Sequence, residues 1–548
     1  MENENQPKVS GFLKQGSILA VASILVRVIG MIYRIPMANI IGDEGNGIYS
    51  AAFEIYNIML IISSYGMPMA VSKMVSAKCA EGKYKNAYQL FRYSMFFSIC
   101  TGGIAMLFIY LGADFLEKNF FSKYHGIAIP LRVLAPTIFI VAVMGVFRGL
   151  FQGRKTMMPT AVSQIFEQII NAFVSVAAAY MLMRQHSGAR KVAAWGAAGG
   201  TMGTLFGAVT AFLILFAIYL MYRPIMQKQK RRDHVSVKES LGVSYKLILC
   251  TVIPIILSQT VYQLSGIIDV TLFNMAMGAR GYSDQKVSTL LGIYSTKYRV
   301  LVSVPIAIST AIASSMVPGL VASYMKKDMK EVQSKVALSV KFNMIIAFPS
   351  AVGLAVLAVP IIRLLFPGSD YRIGGMMLIT GSSCVIFYAL STVTSGVLQS
   401  IDHMNLPVVH SLISLLLHIG IVYVLLMYTD MGAYALVFGN VTYPMLVCLL
   451  NGRSVRKYIG RKQETVKTFC IPFLSSVVMG ILTLGVYQAV IFLTHKIYIA
   501  IIPAIIVAVF VYFSMVLKLK GLSRYELYEF PFGRKMSILA DKLHLLDS

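Results

Sequence analysis

The chain has 548 residues, of which 57% are hydrophobic and only 13% charged, and its mean hydropathy is +0.71. Soluble domains carry about 25% charged residues, so a water-soluble fold is excluded and most of the chain must face lipid. The 49 Lys and Arg against 23 Asp and Glu give a net charge of +26; in a soluble protein that balance would point to nucleic acid, but in a membrane it is first a topology signal.

A helix needs about 20 mainly apolar residues to cross the hydrocarbon. That rule predicts spans in chain order over 14–40, 48–76, 88–112, 128–150, 160–183, 194–222, 247–276, 288–321, 342–362, 375–398, 407–428, 432–450, 468–493 and 497–517. The expected fold is an all-α polytopic membrane protein with about fourteen transmembrane helices. The polar first 13 residues and the full-length span behind them predict an uncleaved first helix. With both termini inside, the inward segments hold 33 cations and the outward segments 10, the asymmetry expected of a multi-pass protein of a bacterial cell membrane with cytoplasmic termini.

The chain also repeats itself. Pro68-Met-Ala-Val-Ser72 returns as Pro305-Ile-Ala-Ile-Ser309, and Gly149-Leu-Phe-Gln152 returns as Gly396-Val-Leu-Gln399. Ser23, Val26 and Asn39 of span 1 match Ser258, Val261 and Asn274 of span 7. Six spans separate the copies, an even number, so both have one orientation, as in transporters with parallel repeats around a central cleft. The expected organisation is an N-lobe over 1–222 (spans 1–6), a basic cytoplasmic linker over 223–246, a C-lobe over 247–451 (spans 7–12), a helix pair over 452–517 (spans 13 and 14) and an amphipathic cytoplasmic tail over 518–548.

With Lys14, Arg92 and Arg148 at span ends counted among the inward segments, six cations remain within spans: Arg27, Arg34, Lys73, Arg132, Lys297 and Arg299. A charge near the bilayer centre costs at least ~2.5 kcal/mol on insertion scales and normally marks a pathway. Arg27 and Arg34 are two turns apart on one face of span 1, in a 4, 3, 4 rhythm with Ser23 and Gly30; span 7 repeats the rhythm with Ser258, Tyr262, Ser265 and Asp269. Span 2 adds Glu54 and Asn57, one turn apart. Lys297 and Arg299 are two residues apart, so at most one of them faces a cleft squarely. Lys73 and Arg132 are close enough to span ends to snorkel, and Glu167 in span 5 is either shallow or internal to its lobe. Pairing of Arg34 with Glu54 or Asp269 would explain part of this set structurally. Four deep cations against two acids still leave positive charge in surplus, which suits an anionic ligand; arginine's planar fork matches phosphate oxygens.

Other features are ordinary. Gly199, Gly203 and Gly207 in span 6 predict close helix packing. Lys228-Gln-Lys-Arg-Arg232 reads as a positive-inside or lipid-headgroup signal rather than a nucleic-acid site. The six cysteines form no C-x-x-C pair and the eight histidines no ligand spacing. No nucleotide-binding loop or nucleophile elbow is present, so no cofactor and no enzyme activity is expected. Transport would draw on a Na or H gradient, the membrane potential or the substrate gradient.

The residues Arg27-Val-Ile-Gly-Met-Ile-Tyr-Arg34, Ala-Val-Ser-Lys73, Arg148-Gly-Leu-Phe-Gln-Gly153, Pro159-Thr-Ala-Val-Ser-Gln164 and Glu167-Gln168 resemble the MOP superfamily of exporters. Within it they are most similar to MurJ-type (YtgP-like) lipid II flippases and to stage V sporulation protein B. The resemblance implies alternating-access transfer of undecaprenyl-pyrophosphate-linked lipid II from the inner to the outer leaflet. It also implies that Arg27, Arg34 and Arg299, with Lys297 as neighbour, contact the pyrophosphate, and that spans 13 and 14 form a groove for the lipid tail. Glu54, Asn57, Asp269, Ser258 and Ser265 would be polar or coupling groups of the cleft. The chain departs from better-known members in span 2, where Glu54 replaces basic residues, and in span 11, which offers Ser411, Ser414 and His418 but no carboxylate for a sodium site. The expected partners are the lipid-linked glycan and membrane lipids, not nucleic acid, with the protein a monomer. Alternatives are a flippase for another lipid-linked glycan (capsule or spore cortex), a cation-coupled drug exporter, or a membrane glycosyltransferase, which the short outer loops disfavour.

Overall fold

A single helical run, Val9–Leu60 (α1), carries the first expected span and the start of the second and breaks at Gly42, whose φ of 69° is in the left-handed region that glycine alone adopts without strain. Asn46 holds the break closed: its Nδ2 donates to Ala38 O at 2.9 Å and to Gly42 O at 2.7 Å. The computed structural model describes residues 9–119, 125–154, 156–188, 191–236, 240–325, 327–367, 370–460, 464–523 and 526. Most of the expected tail, residues 237–239 of the linker and the side chain of Ser258 lie outside the described residues.

The chain divides by contacts into two units, Met1–Gly292 and Ile293–Ser548. Unit 1 continues from α1 through a π-helical turn, Ile61–Tyr65, to α2 (Met67–Ala80), α3 (Tyr84–Asn119), α4 (Ala128–Gly153), α5 (Met158–Gln185), α6 (Val192–Arg231), α7 (Leu241–Ala279) and α8 (Asp284–Gly292). Unit 2 opens on a second π-helical turn, Ile293–Tyr298. It continues with α9 (Arg299–Met325), α10 (Met329–Val356), α11 (Ala358–Leu365), α12 (Tyr371–Gly381), α13 (Cys384–Ser400), α14 (Asn405–Tyr428), α15 (Tyr434–Ile459), a third π-helical turn (Val466–Cys470), α16 (Ile471–Thr494) and α17 (Ile497–Lys518).

Among the described residues ten helical runs are long and apolar enough to cross a membrane, or eleven with the α12–α13 pair, which bends by 45°. The first of these, Leu25–Ala80, holds two expected spans, while α7 and the α8–α9 run hold spans 7 and 8. All fourteen expected spans therefore fall on helix, and every regular element among the described residues is helical. The fold is that of an all-α polytopic membrane protein.

The repeated motifs meet in space. A Cβ at Gly149 of α4 would lie 2.7 Å from Pro68 O and from Val71 Cβ of α2, and one at Gly153 would lie 2.7 Å from Ser72 O. The first copy of each motif thus forms an α2–α4 contact that only glycine allows. In unit 2 the second copies sit on α9 and α13, which also pack together. Gly199, Gly203 and Gly207 of α6 do the same against α5, where added Cβ atoms would strike the backbone of Ala179, Asn171 and Glu167. The small-residue run packs as its spacing predicts.

Around these contacts unit 1 buries a core of α2, α3, α4, α6 and α7 residues, including Met74, Phe91, Phe147 and Val252. Phe147 meets Phe91 at 5.8 Å and Tyr219 at 5.2 Å. The repeat assigns span 7 to the second lobe; by packing, α7 lies against α1, α2 and α3 within unit 1. In unit 2 the helix pair outside the repeat packs on α10, where Phe342 and Ile345 meet Met479, Tyr512 and Val516. Tyr512 OH donates to Ile345 O at 2.7 Å.

Candidate functional site

In unit 1 the buried face of α1 packs on α5 and α6. Tyr33, Met37 and Ile41 are buried; Tyr33 OH accepts from Asn171 Nδ2 at 3.4 Å, and a Cβ at Gly30 would lie 2.9 Å from Gln168 Nε2. Gly30 therefore belongs to the α5 contact rather than to an open polar stripe. Arg27 and Arg34 are both exposed from the protein, and the charge of Arg34 acts on the Tyr49 hydroxyl. Exposure at membrane depth leaves these guanidinium groups open to water, a headgroup or a ligand.

Beyond the Gly42 break, α1 presents Glu54 and Asn57, both half-buried. Glu54 lies against α7: its carboxylate oxygens are 3.4 and 3.5 Å from the position of a Cβ on Gly266. Gly266 is one turn before Asp269, so the two share a face of α7. Asp269 is buried and Ser265 half-buried. The two acids expected from spans 2 and 7 thus come from helices that touch, within one turn of the same contact.

Unit 2 sets Lys297 and Arg299 in different surroundings. Both follow from the π-helical turn Ile293–Tyr298, whose wide winding carries Lys297 inward. Lys297 is 1% exposed, with its Nζ 5.8 Å from the Phe366 ring centroid, while Arg299 is exposed. Next to it Tyr298 OH donates to Gly381 O at 3.2 Å and accepts from Asn440 Nδ2 at 3.0 Å. Lys297 is thus buried beside Phe366, and Arg299, just after the turn, is exposed. In α14, Ser411, Ser414 and His418 are buried, and the His418 ring meets Tyr443 at 5.7 Å. No group of three or more potential metal-ligating His, Cys, Asp or Glu occurs among the described residues.

One pair escaped the sequence reading. Arg148 counts there as an inward-segment cation, but the structure places it in α4, where its Nη2 donates to Glu167 Oε2 of α5 at 2.7 Å, with side chains 14% and 27% exposed. Glu167 is thus internal to its unit. The available signal was that Arg148 and Glu167 flank one tight turn from either side. Of the other in-span cations, Arg132 pairs with Asp114 at 2.5 Å, and Lys73 is exposed.

The fold is one shared with solved transporters of the MOP superfamily. The chain matches the solved structure of lipid II flippase MurJ in an inward closed conformation with a TM-score of 0.65 at 16% identity, over 91% of this chain and 97% of that one. It matches an inward-facing multidrug resistance MATE family transporter of the MOP superfamily with a TM-score of 0.65 at 17% identity, over 80% and 98%. At these identities the likeness is one of fold. More particularly, residues 12–323 match the model of the polysaccharide biosynthesis protein family and residues 285–372 a second model of that description; the chain belongs to this family. Among curated proteins it is 24% identical to lipid II flippase MurJ of Bacillus subtilis (strain 168) over 86% of this chain and 88% of that one. It is 23% identical to stage V sporulation protein B of the same organism over 88% and 90%.

Proposed function

We propose that the protein is a flippase that carries lipid II, an undecaprenyl-pyrophosphate-linked peptidoglycan precursor, from the inner to the outer leaflet of a bacterial cell membrane by alternating access. The observation that carries this reading is the exposure of Arg27 and Arg34 from α1, in a chain that aligns with a lipid II flippase over 86% of its length. Two arginines two turns apart offer forked donors to the two phosphates of a pyrophosphate. Arg299, exposed just after the π-helical turn of unit 2, is assigned the third contact, with Lys297 as its neighbour. Glu54 and Asp269, with Asn57, Ser258 and Ser265 as polar neighbours, are assigned to coupling with a Na or H gradient or with the membrane potential. The 33 to 10 cation asymmetry supports cytoplasmic termini.

The test is complementation of a strain depleted of its own lipid II flippase, with protein levels checked in the membrane. Arg27→Ala and Arg34→Ala are expected to abolish growth, and Arg→Lys at either position to retain part of it, since lysine keeps the charge but loses the fork. Full growth with both alanine variants would overturn the reading. A second reading, a flippase for another lipid-linked glycan such as a spore-cortex precursor, draws on the near-equal match to stage V sporulation protein B. Depletion of the protein separates the two: loss of lipid II from the outer leaflet supports the first, and unchanged lipid II with a defective cortex or capsule supports the second.

A further inference from the structure

Unit 2 contains a cavity of about 420 Å³ remote in sequence from Arg299 and Lys297, within the ~300–1,000 Å³ range of ligand pockets. Its walls are apolar side chains of three helices, among them Val336 and Val340 of α10, Leu390 of α13 and Val455 of α15, with Phe469 from the turn before α16. Arg456 lines it from the last turn of α15 and is itself exposed, so a guanidinium stands where the apolar space opens.

The surroundings carry an excess of that sign. Arg453, Lys457 and Lys467 are exposed in the 452–469 stretch that lines the cavity, against one exposed acid there, Glu464, which pairs with Lys467 at 3.9 Å. Cations in a final helical turn can serve merely to offset the helix dipole. Here the end of α15 is closed by other groups: Gln333 Nε2 donates to Ile459 O at 2.7 Å, and Gly460 in the left-handed conformation donates its N–H to Arg456 O. A half-open, mainly apolar slot with a cation in its lining matches a molecule that is apolar at one end and anionic at the other, and basic pockets between membrane helices take lipid headgroups in this way.

We propose that this cavity binds an anionic phospholipid, with one acyl chain between α10, α13 and α15 and the phosphate on Arg456. A neutral or zwitterionic lipid would make less use of the cation cluster, and a free phosphate none of the apolar depth.

The purified full-length protein is loaded with phosphatidylglycerol or with phosphatidylcholine of the same chains, and retained lipid is counted by native mass spectrometry. The wild type is expected to retain phosphatidylglycerol preferentially. Arg456→Gln is expected to lower its retention about fivefold, toward the phosphatidylcholine level. Gly452 also lines the cavity, and a Cβ there meets nothing within 4 Å; Gly452→Leu therefore fills the space without displacing backbone and is expected to abolish retention of both lipids. Equal retention of the two lipids by the wild type, or undiminished phosphatidylglycerol in Gly452→Leu, overturns the proposal. So does preferential retention of undecaprenyl phosphate over phosphatidylglycerol, which would make the cavity part of a polyprenyl-lipid route.

Discussion

Replacing Glu167 by Ala tests whether the Arg148–Glu167 pair holds α4 to α5. Removing one partner of a buried ion pair costs about 3–5 kcal/mol because the other charge is left desolvated. Glu167 is 27% exposed and Arg148 14%, so water can reach part of the site and about 2–3 kcal/mol is expected. Little else can take over: the Ser163 Oγ contact with Arg148 is long, at 3.5 Å, and the buried Arg148 Nε has no hydrogen-bond partner. For a unit of this size the loss corresponds to a fall in melting temperature of about 4–6 °C, readable by heating the detergent-solubilised protein and following its monodisperse fraction. Glu167→Gln keeps an acceptor without the charge and should lose about half as much, since neutral hydrogen bonds are about half as strong. The double variant Arg148→Met/Glu167→Leu, apolar at both positions, should melt near the parent. A Glu167→Ala protein melting within about 1 °C of the parent, or a double variant worse than either single one, would refute the assignment.

The α2–α4 contact predicts that Gly149→Leu severely lowers the yield of folded protein, because its Cβ would meet the Pro68 carbonyl at 2.7 Å, whereas Gly103→Ala, with nothing within 4 Å, should be neutral or stabilise by about 0.5–1 kcal/mol; size-exclusion recovery distinguishes them. In the linker, Asp233 accepts from the N–H groups of Lys85 at 2.7 Å, Val235 at 3.0 Å and Ser236 at 2.9 Å. These bonds outweigh burial and hold its carboxyl well below the ordinary aspartate value. The stabilisation is complete above pH ~4 and is lost as pH falls through the lower folded value; Asp233→Asn should flatten that acid limb in thermal melts taken against pH. At the tail, burial pushes the Glu526 carboxyl up, but bonds from Lys341 and from the Ser523 N–H outweigh it and leave it lowered. Lys341 Nζ donates to both Glu526 oxygens at 2.8 Å from a side chain 7% exposed. Glu526→Gln, which strands that cation, should loosen the tail more than Lys341→Met, and trypsin cleavage after Arg524 reports it.

The spans and their number were legible because lipid leaves the backbone only one solution in this composition: each long apolar run must satisfy its own hydrogen bonds as helix. The break between spans 1 and 2 was less so. Ile41-Gly-Asp-Glu-Gly-Asn-Gly47 reads as a loop, yet one left-handed residue at Gly42 and the Asn46 side chain keep it helical on both sides. The repeat was visible as matched motifs, but not the contact behind the first copy: Gly149 admits the backbone of the helix that carries Pro68.

The charges mark where sequence reading stops. Helical periodicity gives the angle at which a residue leaves its own helix, and that placed Arg27 and Arg34 on one face and Glu54 one turn from Asn57. It does not say which face a neighbour covers. Gly30 lies between the two arginines in sequence and packs on Gln168, and Lys297 and Arg299 part company because a π-helical turn, which carries no composition signal, ends between them. Arg148 shows the same limit from the other side: two residues before the expected end at 150 a cation in solvent and a cation in a pair look alike in sequence, and the α5 carboxylate of Glu167 decides between them. An arginine that keeps its charge by pairing within one unit, like Arg148, holds helices; one that leaves the protein surface in mid-span, like Arg27, is stable only where something outside the fold compensates it.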